Sequence, residues 1–379
     1  MSFLHIVDYS LIAEKLKRNA QIMVSQNPTG VIYSDEYLLH ETGDHVENKN
    51  RLIETWKLLN KNNIFNSGKV NHIMPSPAKI EDIKRVHTPY HIEKVKEICA
   101  QGGGWLDGDT VVSEKSYDVA LLAAGGAIKA GDSVVSKKIS NAFCLIRPPG
   151  HHAREGAARG FCIFNNMAVL TRYLRATYKD IDRVLILDHD AHAGNGTLYT
   201  FYKGEDAAKV LIFDFHQVPL YPGTGLLEEI GEDAGEGYKF NVTMMPGSGD
   251  PQYLAVMDEI FLPVVQQFKP NIILVSAGFD GHFSDPIAEL KLTTQGFGQI
   301  IQRAKTAANQ FCDGRIIILL EGGYNLSAVS RGVLQEVSVL ANLGIELKDP
   351  PPKIDSEAES FSRKLIGQIK DLFSPYWKF

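Results

Sequence analysis

Five short apolar runs, each ending abruptly in polar or glycine-rich sequence, constrain the fold of this chain more than any other feature. They are Ala142 to Ile146 before RPPGHH, Val184 to Leu187 before DHDAH, Val210 to Phe213 before DFH, Ile272 to Val275 before SAGFD, and Ile316 to Leu320 before EGGY. A strand with one wet face alternates apolar and polar residues; uninterrupted apolarity points instead to strands buried on both faces, as in a parallel sheet. Between the runs, Tyr117 to Val135, Asn166 to Tyr178, Tyr253 to Phe268 and Thr294 to Phe311 carry apolar residues at helical spacing. Strand alternating with helix predicts an α/β fold, here a single large parallel-sheet domain flanked by helices. Ligands of such sheets bind beyond the carboxyl ends of the strands, and every polar cluster named above falls at that edge.

A chain of 379 residues could hold two domains, but a large α/β sheet carries this length around one core. No internal boundary is visible between residues 31 and 344, so we read one catalytic domain there. Residues 1–30 form an N-terminal segment of unassigned structure. Residues 345–379 read as a polar, proline-rich connector followed, from Phe361, by a short helix packed on the body. The net charge of −6 and the absence of basic runs argue against direct nucleic-acid binding. The apolar runs fall far short of the roughly 20 residues a membrane span needs, and the N-terminus lacks the apolar stretch of a signal peptide. Cys99, Cys144, Cys162 and Cys312 form no CxxC pair, so no disulfide framework is expected and a reducing cytoplasm fits. Nothing in the sequence fixes the oligomeric state, and a homo-oligomer is compatible with it.

The strongest local signal is Asp188-His189-Asp190-Ala191-His192-Ala193-Gly194-Asn195. In an extended strand, residues two apart point the same way, so Asp190 and His192 would offer an oxygen and a nitrogen to one metal ion. Asp188 shares their side and His189 faces away. A lone Asp-x-His is more often a hydrogen-bonded strand end than a metal site, but four further clusters change that balance. Asp280 in AGFDGH ends another strand and is a third possible ligand. His151 and His152 end a third. Tyr324 follows a Gly-Gly turn at the end of a fourth. Gly160-Phe161-Cys162 would place an aromatic ring near the mouth of such a site.

With these motifs in hand, the chain resembles the zinc-dependent histone deacetylase family, within the arginase/deacetylase fold. The resemblance runs from about Tyr33 to Leu343 through RPPGHHA, GFCIFNN, the Asp-x-Asp-x-His segment, YPGTG (Tyr221 to Gly225), AGFD and EGGYN, in the family's order. The wording is closest to class II and to bacterial and archaeal members. The resemblance implies one zinc ion per chain on Asp190, His192 and Asp280. It makes His151 and His152 the paired histidines beside the metal, Asp188 and Asn195 the residues that orient them, and Tyr324 the group that polarises the substrate carbonyl. Phe161 and Tyr221, with Gly160, would wall the acyl-lysine channel. A structural potassium ion on main-chain carbonyls around Asp188, Asp190 and His192, near Asp214 and Phe215, is implied as well. If the family pairing holds, His151 beside the Asp188 carboxylate is the cationic stabiliser, and His152 beside the neutral Asn195 amide is the general base and acid. One departure is Ala193, where most members carry a second histidine; alternation points it away from the metal.

Two enzyme alternatives share the fold. A binuclear manganese ureohydrolase would need a bridging carboxylate where this chain has Gly194, and His282 reads better as a loop histidine than as a second-metal ligand. An acetylpolyamine amidohydrolase would use the same zinc site; in polyamine-selective relatives a glutamate can follow the third zinc ligand by seven residues. Here that position is Ile287, which favours acyl-lysine, although Glu289 stands two residues further on. A binding module without activity would need a broken site, and none of the expected catalytic residue types is missing. The expected substrate is therefore an acylated lysine in a protein or peptide, with a small acylated amine as the alternative.

Overall fold

The computed structural model describes residues 27–353 and 356–379. The N-terminal segment 1–30 thus lies almost wholly outside the described residues. In chain order the strands are β1 (Thr29–Ile32), β2 (Val70–Ile73), β3 (Gly103–Trp105), β4 (Val111–Ser113), β5 (Ala142–Cys144), β6 (Val184–Asp188), β7 (Val210–Gln217), β8 (Lys239–Met244), β9 (Ile272–Ala277) and β10 (Ile316–Leu320). β3 and β4 form a separate antiparallel pair. The other eight make one sheet in the order β2-β1-β5-β10-β9-β6-β7-β8, parallel at every neighbouring pair.

The uniform apolar runs explain this sheet. β6, β9 and β10 are buried at every position, so both faces are covered. Helix Ser116–Val135 packs on β1, β5 and β10 and against helix Asn166–Thr177. Helix Thr294–Phe311 packs on β9 and β10 and against helix Leu326–Ala341. Each fully buried Ile or Leu of these strands contributes about 1.5–3 kcal/mol, which makes the sheet centre a firm platform for the groups at its carboxyl edge.

Two helical elements differ from the sequence reading. The stretch expected as one helix, Tyr253 to Phe268, is Asp250–Val256, a π-helical turn Met257–Phe261, and Leu262–Phe268. Pro263 has no N–H to donate and its ring crowds the preceding turn; the wider turn absorbs the mismatch. The C-terminal helix begins at Ser356, earlier than Phe361, and ends at Phe373. Its SEAES start is polar enough to read as connector, yet Ala358, Ser362, Leu365, Ile366, Ile369 and Phe373 form a buried face at helical spacing. Phe373 stacks on Phe240 of β8 at 3.8 Å between ring centroids, and the Trp377 indole N–H donates to the Gly237 carbonyl at 2.7 Å. Among the described residues no helix is long and apolar enough to cross a membrane.

Candidate active site

β5, β10, β9 and β6 are consecutive neighbours in the sheet. Their carboxyl ends carry RPPGHH, EGGY, SAGFD and DHDAH, so four motifs far apart in sequence meet along one edge. Helix caps hold the segments that leave it. The Asn165 side chain accepts from the Ala168 N–H at the start of helix Asn166–Thr177. Asn325, the last residue of EGGYN, accepts from the N–H groups of Ser327 and Ala328.

Asp190, His192 and Asp280 converge: their candidate ligand atoms lie within 4.8 Å of one another, and all three residues are buried. His192 Nδ1 is 3.2 Å from Asp190 Oδ1 and 3.0 Å from Asp280 Oδ2. Strand alternation alone does not produce this arrangement, because β6 ends at Asp188 and the next residues bend. Hydrogen bonds complete it. The Asp190 N–H donates to Asp188 Oδ1 (3.1 Å), the Ala191 N–H to Asp280 Oδ1 (2.8 Å) and the Gly322 N–H to Asp190 Oδ2 (2.8 Å). A Cβ at Gly322 would lie 2.5 Å from both Asp190 Oδ2 and Asp280 Oδ2, so the backbone leaves room for two carboxylates. Burial and the neighbouring Asp190 push the Asp280 carboxyl up. Burial opposes a charge on His192 too, but hydrogen bonds from its ring to Asp190 and Asp280 push it up to about 10. Two buried carboxylates facing one imidazole call for a cation, and this donor set fits zinc with positions left for other ligands.

The two histidines stand in different environments. His151 Nδ1 is 3.1 Å from Asp188 Oδ2, and His152 Nδ1 is 3.0 Å from Asn195 Oδ1; their ring centroids are 4.0 Å apart. Burial penalises the charge of His151, but Asp190 and Asp188 outweigh it and raise this ring well above the usual histidine range. Burial, then the positive His151 and His192, hold His152 well below it. Gly194, where a binuclear site would need a carboxylate, has no space for one: a Cβ there would lie 2.6 Å from Asp188 Oδ2 and 3.2 Å from His151 Nδ1. Ala193 is buried. A Cβ at Gly225 would lie 3.0 Å from both its methyl and the His216 ring, so Gly225 brings the backbone of the YPGTG loop close to Ala193 and His216. His189 turns away from the cluster, with Nδ1 3.1 Å from the Gly278 carbonyl. His282 is likewise committed elsewhere, with Nε2 3.1 Å from Asp349 Oδ2.

A cavity of about 210 Å³ opens onto this cluster, lined by Asp109, His152, Gly160, Phe161, His192, Tyr221, Ile287 and Tyr324. Gly160, Phe161 and Tyr221, expected as channel wall, are among them, and so is Ile287, the position that separates acyl-lysine from polyamine readings. Gly160 and Phe161 both have positive φ, +52° and +70°. A side chain at Gly160 would run into the His152 ring, so only glycine serves there. The Phe161 ring stands edge-on to Tyr324 at 5.8 Å, and Tyr221 edge-on to His152 at 5.2 Å. Burial, then the charges of Asp280 and Asp190, keep the Tyr324 hydroxyl well above its ordinary range, so it stays protonated and has an O–H to donate in a hydrogen bond.

Asp109, Glu321 and a buried arginine–glutamate triad were not foreseen from the sequence. Asp109, in the β3–β4 turn, reaches the cavity wall; burial and the adjacent Asp107 push its carboxyl up. Glu321 Oε2 accepts from the N–H groups of Gly150 (2.7 Å) and His151 (3.1 Å), pinning the RPPGHH turn to the EGGY turn. Behind both turns lies a buried triad, with Glu47 Oε1 3.0 Å from Arg51 and 2.7 Å from Arg147. Arg51 also donates to the Gly323 carbonyl at 2.6 Å and to the Glu321 carbonyl. Removing one member of such a network leaves uncompensated charge in the interior. Glu47→Ala is expected to cost about 3–5 kcal/mol in a denaturant titration; a loss under about 1 kcal/mol would show that the carbonyl acceptors suffice for both arginines.

Comparison with known proteins places the chain among deacetylases. A family model described as the histone deacetylase domain matches residues 45–340. A probable deacetylase of Archaeoglobus fulgidus is 41% identical over 360 residues, covering 92% of this chain and 99% of that protein. The histone deacetylase-like amidohydrolase of Pseudomonas aeruginosa is 38% identical over 275 residues, covering 72% of this chain and 71% of its own. Among solved structures, the HDA15 HD domain superimposes with a TM-score of 0.83 at 29% identity, covering 93% of this chain and 96% of that one.

Proposed function

The chain belongs to the histone deacetylase family, and on that premise we propose that it is a zinc-dependent amide hydrolase that removes acetyl or other acyl groups from lysine side chains. The observation that carries this reading is one juxtaposition: the Asp190, His192 and Asp280 cluster reaches a cavity through His192, and His152, beside the oppositely shifted His151, and the Tyr324 phenol line the same cavity. Asp190, His192 and Asp280 would hold the zinc ion. Bound there, it would polarise the substrate carbonyl and make water a stronger acid.

The remaining work falls to the chain's own groups. With the Asn195 amide oxygen against Nδ1, neutral His152 carries its proton on that nitrogen and leaves Nε2 free as the base. The proton taken there is returned to the leaving amine. His151, held charged by Asp188, stabilises developing negative charge without moving a proton. Tyr324 donates its O–H to the carbonyl oxygen as it becomes an oxyanion. Phe161 and Tyr221 flank an extended apolar stem of the kind a lysine side chain presents. A potassium ion on the main-chain carbonyls of Asp188, Asp190 and His192 belongs to the same reading. Asp188 and Asp214, paired across β6 and β7, would supply negative charge beside it.

The Ile287 side chain on the cavity wall favours acyl-lysine over an acylated polyamine. The Asp109 carboxylate on the same wall favours a donor-bearing substrate and keeps acetylpolyamine amidohydrolase as the second reading. Side-by-side turnover of an acetyl-lysine peptide and a monoacetylated diamine separates the two. Tyr324→Phe tests the shared chemistry: it should keep its metal and lose about 100- to 1000-fold in turnover, the usual cost of one oxyanion donor. Activity within twofold of wild type would show that the phenol does not face the reacting carbonyl.

A further inference from the structure

Tyr324 has to present its hydroxyl at one place, yet it follows Gly322 and Gly323, the latter at φ +107°, in a turn without regular secondary structure. Glycine pairs leave a chain free to move, so something else fixes the ring. On one side Arg51 grips the Gly323 carbonyl. On the other stands Asp285, buried in the loop after β9 with 8% of its surface exposed. Its Oδ2 accepts from the Tyr324 N–H at 2.7 Å and the Asn325 N–H at 3.1 Å. Its Oδ1 accepts from the Ile287 N–H at 3.0 Å.

Tyr324 and Ile287 both line the cavity. A single carboxylate therefore holds, through main-chain hydrogen bonds, the phenol that meets the carbonyl and the residue that sets the channel wall. Both oxygens of the carboxyl group are engaged, so neither main-chain segment can move without giving up a hydrogen bond to it. Asn325 is fixed on its far side as well, since its own side chain caps helix Leu326–Ala341. The Tyr324 peptide is thus clamped between Asp285 and a helix start.

We propose that Asp285 is a positioning residue that fixes Tyr324 and couples it to Ile287, so that the width of the channel and the place of the phenol change together. The inference rests on the reading of Tyr324 as the oxyanion donor.

An asparagine at position 285 keeps one acceptor oxygen and turns the other into a donor, so it releases either the Ile287 N–H or the Tyr324 and Asn325 pair. The test is a double-mutant cycle: Asp285→Asn and Tyr324→Phe, singly and together, on one acetyl-lysine peptide, with zinc content and thermal unfolding measured alongside. Asp285→Asn should lower kcat about 10- to 100-fold, the scale of an ångström's misplacement, with KM changed less than about threefold and zinc content unchanged. In the Tyr324→Phe background the same substitution should cost less than about twofold, because no hydroxyl remains to be misplaced. Equal losses in both backgrounds would overturn the inference alone, showing a general structural role. A fully active Tyr324→Phe would overturn the oxyanion-donor reading and this inference with it. Should Asp285→Asn not fold, Asp285→Glu carries the same cycle, since it keeps both acceptors and shifts them by one methylene.

Discussion

Asp280→Ala is expected to purify without bound metal and to turn over no acetyl-lysine peptide above background, with or without added zinc. Asp280 is fully buried. Its Oδ2 lies 3.0 Å from His192 Nδ1, and its Oδ1 accepts from the Ala191 N–H at 2.8 Å. The substitution would remove a ligand and also release the turn that carries Asp190 and His192. Loss of an outer-sphere partner typically costs 10- to 100-fold in metal affinity, on the order of 1.4–2.7 kcal/mol; a direct ligand that also holds its neighbours should cost more. The fold itself should survive, because without metal the Asp280 carboxyl is already disfavoured by burial and by Asp190, and its removal relieves that repulsion. Metal analysis of the wild type should give one zinc per chain. Two metals per chain, or full zinc retention in Asp280→Ala, would show that the ligand set is wrong.

What was legible in the sequence follows from what kind of group does the work. β6, β9 and β10 could be read because strands buried on both faces have no room for polar residues. β1, β2 and β8 could not: TGVI is short and contains glycine, VNHI has an exposed polar middle, and β8 begins with a buried lysine. Lys239 is tolerated there because Nζ donates to the Ala207 and Val210 carbonyls, partners that no pattern in KFNVTM reveals. The order of strands in the sheet was also hidden, although it brings the four motifs together, because it depends on crossovers and not on the runs themselves.

The site divides in the same way. Asp190, His192, Asp280, His151, His152 and Tyr324 could be singled out because the proposed metal ligation and proton transfer would demand side chains of those types. Glu321, Asp285 and Arg51 act on main-chain N–H and carbonyl groups, which every residue has, so nothing at the partner positions marks them. Asp109 was obscured for a different reason: the LDGDT segment reads as an ordinary polar turn, and only the position of the β3–β4 hairpin brings it to the cavity.

The division of labour between the two histidines leads to the other large effect. His152→Ala should lower turnover by about 100- to 10,000-fold, the range of general acid–base catalysis, because no other group on the cavity wall is placed to take the proton and return it. His151→Ala should also slow the reaction, but by removing a fixed positive charge, so it should not remove the base. The sharper test is Asn195→Asp. In the wild type, burial and the positive His151 hold His152 below the usual histidine range, and its Nδ1 faces a neutral amide oxygen at 3.0 Å. A carboxylate in place of that amide favours the protonated ring and raises its pKa, by about 1–3 units for an adjacent opposite charge. The base is active only when deprotonated, so a higher pKa means activity is lost at a higher pH as the solution is acidified. The acid limb of kcat/KM, which reports the free enzyme, should therefore move up by at least about one pH unit. Because the two rings interact, the limb belongs to the pair, but the direction of movement does not depend on how it is apportioned. A pH–rate profile of wild type and Asn195→Asp on one acetyl-lysine substrate decides it: an acid limb that stays in place or moves to lower pH would falsify the assignment of His152 as base, while the metal-content experiment on Asp280 would stand on its own.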